Sequence, residues 1–274
     1  MPARFPDRIV CLTEETTETL YLLGEERRIV GISGYTVRPP RARREKPRVS
    51  SFLSAKTERI LELKPDLVLG FSDLQADIAR DLAKAGLSLV LFNQRSVQEI
   101  LDMIGMLAAM VGVPEKGAAL VASLESGLRS IREEAKALAH RPKVYFEEWD
   151  EPMISGIRWV SELIEIAGGE DVFREKSFSP GAQGRVVKPE DVVERNPEVI
   201  LGSWCGKKFR PEKVAARPGW QDLCAVRNGE LHEIKSAEIL QPGPAALTDG
   251  LARIAAILRE ASRRAPRTAP RAGA

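Results

Sequence analysis

Apolar residues in the middle of the chain recur at Leu120, Leu124, Leu128, Ile131, Ala135 and Leu138. These steps of three and four make one continuous stripe, which predicts a single long helix over 115–138. Pro114 suits its first turn, and the next proline is Pro142. Arg129, four residues after Glu125 and four before Glu133, can pair along the same face. At 1.5 Å per residue such a helix spans about 36 Å, enough to run beside two small lobes. Ahead of it the pattern predicts strands at 8–12, 28–32, 67–69 and 87–92, and helices at 15–23, 57–63, 74–85 and 97–111. Gly24 and Gly86 stand where helix C-caps are expected, and Ser96 with Glu99 reads as a capping box. Alternation on this scale implies a parallel sheet covered by helices on both faces. The exception is 35–54, expected as a long loop over the mouth of the sheet, because it holds Pro39, Pro40, Pro47 and a basic cluster.

The same grammar resumes afterwards. Strands are expected at 143–147, 199–201 and 230–234, and helices at 159–167, 189–195, 211–217 and 245–261, with Gly168-Gly169 closing the first of these helices. From Arg263 the periodicity stops, and the tail is expected to be disordered. The implied organisation is an α/β lobe over 1–113, a connecting helix over 114–141, a second α/β lobe over 142–262 and a tail over 263–274. An internal match supports two related halves: a shift of 132 residues lays 56–70 on 188–202. Lys56 then falls on Lys188, Glu58 on Glu190, Glu62 on Glu194, Pro65 on Pro197, Leu69 on Leu201 and Gly70 on Gly202. The shared unit is a helix stopped by proline, an acid at the turn, a buried parallel strand and a glycine at its carboxyl end.

Composition narrows the class. With 274 residues, 43% hydrophobic and 29% charged, the chain can bury a core without staples. A net charge of +2 points to neither nucleic acid nor an anionic membrane. Cys11, Cys205 and Cys224 are too few and too scattered for a disulfide framework or a CxxC metal site. No apolar run approaches the length of about 20 residues needed to span a bilayer. The first residues show no signal-peptide pattern. As written the chain therefore reads as cytoplasmic, or as periplasmic if a leader has been removed, and as a monomer.

Ligands of open parallel sheets bind outside the carboxyl ends of the strands, which makes the residues just past each strand the candidates. Aromatic residues gather there: Phe71, Trp149 and Trp204 follow strands, while Tyr35, Phe52, Trp159 and Phe178 lie in neighbouring connections. Aromatic faces with a few polar groups suit a large, flat, partly apolar ligand. Glu147, at the start of an acidic group running to Glu151, could hold a cation or ligand amides. Arg95, Arg158 and Arg185 could pair with ligand carboxylates. Cys205 is a weak candidate metal ligand. An enzyme reading fares poorly, because His140 and His232 do not assemble a triad and the chain has neither a P-loop nor a Gly-x-Gly-x-x-Gly turn. Glu147, Glu148 and Cys205 are left as an alternative set for chemistry or metal handling.

Arg8 to Thr13 ahead of a Thr-Glu helix, Arg28 to Gly31 with the loop from Tyr35 to Pro40, Pro47 to Val49 before Phe52, and Lys64 to Leu69 form a recognisable set. Together they resemble the substrate-binding proteins of ABC importers for cobalamin and iron chelates. The likeness runs from about Arg8 to Glu260. Ser155-Gly156 and the turn from Gly168 to Phe173 bring it nearest to the cobalamin-binding members. The resemblance implies two Rossmann-like lobes joined by a rigid helix, a ligand cleft between them and no catalysis. A cobalamin-like corrinoid is the first ligand it implies, a ferric siderophore or heme the second, and no resident cofactor. It further implies that Glu58 and Glu190 dock onto arginines of a membrane permease. Phe52 and Phe71 keep the aromatic positions of the cobalamin-binding members, whereas Gly184 and Glu238 stand where tryptophans would be expected.

Overall fold

The computed structural model of the protein describes residues 5–52 and 54–264. The chain divides into two compact units, Met1–Ser126 with Gln241–Thr248, and Gly127–Leu240 with Asp249–Ala274.

In the first unit the order is β1 (Ile9–Cys11), α1 (Glu14–Leu22), β2 (Ile29–Ser33), α2 (Ala42–Glu45), β3 (Arg48–Ser50), α3 (Thr57–Glu62), β4 (Leu67–Phe71), α4 (Ala76–Lys84), β5 (Leu89–Phe92) and α5 (Val97–Met110), followed by the start of α6 (Pro114–Ala135). The five strands are all parallel, in the order β3-β2-β1-β4-β5. Strand β1 lies at the centre, and Ile9, Val10 and Cys11 are fully buried. A strand covered on both faces needs a continuous apolar run rather than an alternating one, and residues 9–12 supply it. Helix α5 begins at the expected capping box, where Ser96 Oγ accepts from the Glu99 amide at 3.2 Å and the Glu99 carboxylate accepts from the Ser96 amide at 3.0 Å.

The expected long loop over 35–54 is a correction, because it contains α2 and β3. Strand β3 is only three residues long, follows a proline and carries an exposed arginine at the sheet edge, so it shows no alternation to read. The ladder from β2 defines it, through Ile32 N–H to Pro47 O at 2.9 Å and Gly34 N–H to Ser50 O at 2.7 Å.

The second unit takes the end of α6, then β6 (Lys143–Asp150), β7 (Met153–Ser155), α7 (Arg158–Ile166), β8 (Glu170–Asp171), α8 (Arg174–Ser177), α9 (Pro189–Arg195), β9 (Val199–Gly202), α10 (Pro211–Ala215), α11 (Cys224–Arg227), β10 (Leu231–Glu233), α12 (Ser236–Ile239) and α13 (Leu251–Arg264). Its sheet runs β10-β9-β6-β7, with β8 also on β6. All pairings are parallel except β6 with β7. That antiparallel hairpin carries β6 past the expected end at 147, through Asp150, so the acidic group from Glu147 to Asp150 lies within a strand.

Helix α6 ends at Ala135 rather than 138, because the last amides tighten to three-residue bonds, including Lys136 N–H to Glu133 O and Leu138 N–H to Ala135 O. The division between units falls inside α6, after Ser126. The segment Gln241–Thr248 joins the first unit. Helix α13 runs on to Arg264, and residues 265–274 of the expected disordered tail lie outside the described residues. The two copies of the internal match fold alike: α3 and β4 correspond to α9 and β9. At the aligned position after each helix, Lys64 (φ 47°) and Asn196 (φ 43°) both adopt the left-handed conformation, which ends the helix before the proline.

Candidate functional site

At the carboxyl end of the first sheet, Gln75 is fully buried and ties two segments together. Its Oε1 accepts from the Phe71 amide at 3.0 Å, and its Nε2 donates to the Phe52 carbonyl at 3.0 Å. Phe71 is mostly covered, with the Arg95 guanidinium over its ring at 5.0 Å. Arg95 Nη2 donates to Asp73 Oδ1 at 3.1 Å and to Asn93 Oδ1 at 2.9 Å. Tyr35, after β2, is 64% exposed. Phe52 is half-buried. Gly70 must lack a side chain here, since a Cβ would lie 2.6 Å from both Gln75 Oε1 and Leu91 Cδ2.

Buried acids underlie this edge in the first turns of α1. The Glu14 carboxylate accepts from the Val37 and Arg38 amides. Thr13 Oγ1 donates to Glu15 Oε1 at 2.5 Å, and Glu18 accepts from Arg38 Nε at 2.9 Å and from the Ala245 amide at 3.1 Å. Burial pushes Glu14 and Glu15 from the usual 4.5 up to about 7, against the hydrogen bonds they accept, and the neighbouring Glu18 charge adds to the rise. Between pH 4.5 and about 7 the folded chain keeps protons that the unfolded chain has released, so stability falls as pH rises through that window and levels off above it. Glu15→Gln, which keeps the acceptor for Thr13, is expected to flatten that slope by about 1 kcal/mol per pH unit. Urea unfolding at several pH values between 5 and 8 checks this, and an unchanged slope would refute it.

In the second unit, the last four residues of β6 are Glu147, Glu148, Trp149 and Asp150. Glu147 is fully buried and receives Arg217 on both oxygens, at 2.5 and 2.9 Å. It also receives Tyr145 Oη at 3.1 Å and Trp204 Nε1 at 3.0 Å. Glu148 pairs bidentately with Arg185 at 2.5 and 3.0 Å, and Arg185 also donates to the Ser155 carbonyl at 2.6 Å. Asp150 pairs with Lys207, whose ammonium sits 4.1 Å from the Trp149 ring centre and 5.2 Å from that of Trp204.

The structure buries several of the expected ligand residues. Trp159 is 3% exposed and donates its indole N–H to the Ile239 carbonyl at 2.9 Å. Trp204 is 4% exposed within the aromatic core, edge-on to Phe209 at 5.0 Å. Glu147 and Arg185 have their charges satisfied internally. A Cβ on Gly202 would meet the Phe209 ring at 1.9 Å, which is why β9 ends on glycine. Trp149 is half-buried with its N–H on the Glu151 carbonyl at 2.9 Å. Phe178 is 56% exposed with the Arg158 and Arg174 guanidinium groups over its ring at 5.5 and 5.7 Å. Cys205 is exposed as a residue, yet partial burial of its thiol and the Glu148 charge raise its pKa. Among the described residues no group of three or more His, Cys, Asp or Glu is placed to hold a metal ion.

The sequence singles out neither Lys207 nor Arg217, whereas Asp150 belongs to the acidic group running from Glu147 to Glu151. Lys207 had a signal, since it follows Trp204-Cys205-Gly206 directly. Arg217 had none, because its partner lies 70 residues away. A groove of about 340 Å³ along the end of α6 and α13, lined by Ile131, Leu138, Ala255, Arg259 and Ser262 among others, includes none of the expected ligand residues.

The family described as "Periplasmic binding protein" matches residues 9–238, and the chain belongs to it. A vitamin B12-binding protein of Vibrio cholerae is 28% identical over 255 residues, covering 89% of this chain and 86% of that one. An uncharacterised ABC transporter substrate-binding lipoprotein of Bacillus subtilis is 26% identical over 246 residues, covering 87% and 76%. Among solved structures, the periplasmic heme-binding protein RhuT of Roseiflexus shares the fold at a TM-score of 0.81, with 23% identity, 93% of this chain and 99% of that chain covered. The expectation of two α/β lobes with largely parallel sheets holds. The cytoplasmic expectation gains no support from these relatives. Among the described residues no helix is long and apolar enough to cross a membrane.

Proposed function

We propose that the chain is a non-enzymatic substrate-binding protein for a cobalamin-like corrinoid, working outside the cytoplasmic membrane in ABC-type uptake. The observation that carries this is the match to vitamin B12-binding relatives along 86% of their length. The sheet edges support it. Taken singly, each edge offers a ring face, Tyr35 in the first unit and Trp149 in the second, with polar groups beside it held in fixed directions, and such an edge suits a large ring bearing amides. Binding rather than chemistry is favoured because Glu147 and Glu148 are both committed to arginines, and a thiol raised by burial is a poor nucleophile at Cys205. The second reading, heme or a ferric siderophore, draws on the likeness to the heme-binding fold.

Titration with cyanocobalamin, dicyanocobinamide, hemin and a ferric siderophore, followed by tryptophan fluorescence and the visible band, tests this. Tight binding of an unaltered corrinoid is the expected result, and no response to either corrinoid would end the proposal. Tyr35→Ala is expected to weaken corrinoid binding by about 1–3 kcal/mol, as a contacting aromatic would, with stability unchanged because the ring is 64% exposed. Unchanged affinity would remove Tyr35 from the site.

Glu58 and Glu190, exposed in the first turns of α3 and α9, are proposed to dock onto a permease. Replacing both with alanine is then expected to leave corrinoid affinity intact and abolish permease-dependent uptake. Full uptake by the double variant would reject the docking role.

A further inference from the structure

Three acids in the last four residues of β6 each hold one cation: Glu147 holds Arg217, Glu148 holds Arg185 and Asp150 holds Lys207. The first two pairs are locked. Glu147 is fully buried with donors from Tyr145 and Trp204 as well, and Arg185 is 3% exposed and braced on the Ser155 carbonyl. The third pair differs in its cation, because the Lys207 side chain is 41% exposed, whereas those of Arg217 and Arg185 are 17% and 3% exposed. Lys207 is therefore the most accessible of these three cations to an incoming group. It is held in place by two indole faces and one carboxylate.

This matters for which chelate the edge accepts. A ligand carboxylate that leaves water must find a cation, because an unpaired buried charge is costly. Here it would meet Lys207 already neutralised and would face the Asp150 charge beside it. Ring amides, by contrast, carry no net charge and need only hydrogen-bond partners. We propose that Asp150 is a specificity-determining residue: by occupying Lys207 it withholds that cation from ligand carboxylates, and so selects an uncharged, amide-bearing macrocycle over one that carries carboxylates. The inference rests on the corrinoid-binding reading and adds the residue that sets its ligand class.

The test compares Asp150→Asn with the unchanged protein, using dicyanocobinamide, hemin and hemin dimethyl ester as probes. The unchanged protein is expected to prefer dicyanocobinamide to hemin by at least about tenfold. Asp150→Asn is expected to tighten hemin binding by about tenfold, while binding of the dimethyl ester, which has no carboxylates, stays the same. Adding Lys207→Met to Asp150→Asn is expected to remove the gain. Circular dichroism of each variant confirms that the fold is intact. Three results overturn the proposal: no gain for hemin in Asp150→Asn, an equal gain for the ester, or a gain that survives Lys207→Met. If no corrinoid binds the unchanged protein, the functional reading fails with it; if corrinoid binds and hemin affinity ignores Asp150, only this inference fails.

Discussion

Arg217→Ala is expected to destabilise the second unit by about 3–5 kcal/mol, the cost of stripping the partner from a buried ion pair. The substitution removes both guanidinium bonds from Glu147, whose side chain has no exposure to water. What remains around that carboxylate is one hydroxyl and one indole N–H, from Tyr145 and Trp204. Neither carries a compensating charge. The Arg217 guanidinium also lies 4.6 Å from the Trp220 ring centre, so packing is lost together with charge. Arg217→Ala combined with Glu147→Gln is expected to recover part of the loss, because the uncompensated charge is then gone. Urea unfolding followed by tryptophan fluorescence reads both variants. A loss below about 1 kcal/mol in the single variant would mean the pair behaves as an exposed one.

Trp204→Ala is expected to cost about 3–5 kcal/mol of stability, measured without any ligand present. From its place just past a strand Trp204 reads as a ligand contact, and a ligand contact would cost affinity instead. The structure puts the side chain in the aromatic core at 4% exposure, against Phe209, with its N–H committed to Glu147. Removing it opens a cavity and takes away one of the two indole faces beside Lys207. Trp204→Phe keeps most of the volume and loses the hydrogen bond, for an expected cost of about 1–2 kcal/mol. If Trp204→Ala unfolds at the same urea concentration as the unchanged protein, the packing role is wrong.

Trp204 and Trp149 show where sequence reading works and where it stops. Trp204 follows β9 whereas Trp149 lies within β6, and the sequence reads both as facing a ligand. One is half-buried beside Lys207 and the other is core. A strand places successive side chains on opposite faces, but past its last residue the backbone direction is set by what packs there, and at Trp204 that is Phe209. Strand β3 and the hairpin β6–β7 were missed for a related reason. Each is completed by pairing with a partner, and short edge strands carry too few residues to show a period of their own.

The chain alone was enough to fix the alternation of strands and helices, the capping box at Ser96, the matching helix–proline–strand units and the family to which they belong. All of these depend on neighbours within a few residues, where propensity, capping and apolar spacing act. Only tertiary structure could decide that Glu147 is neutralised by Arg217, that Glu148 is held by Arg185, and that Asp150 restrains Lys207 against two indoles. These pairs join residues 37 to 70 positions apart. Burial and charge compensation are properties of a folded surface, and no local spacing encodes them.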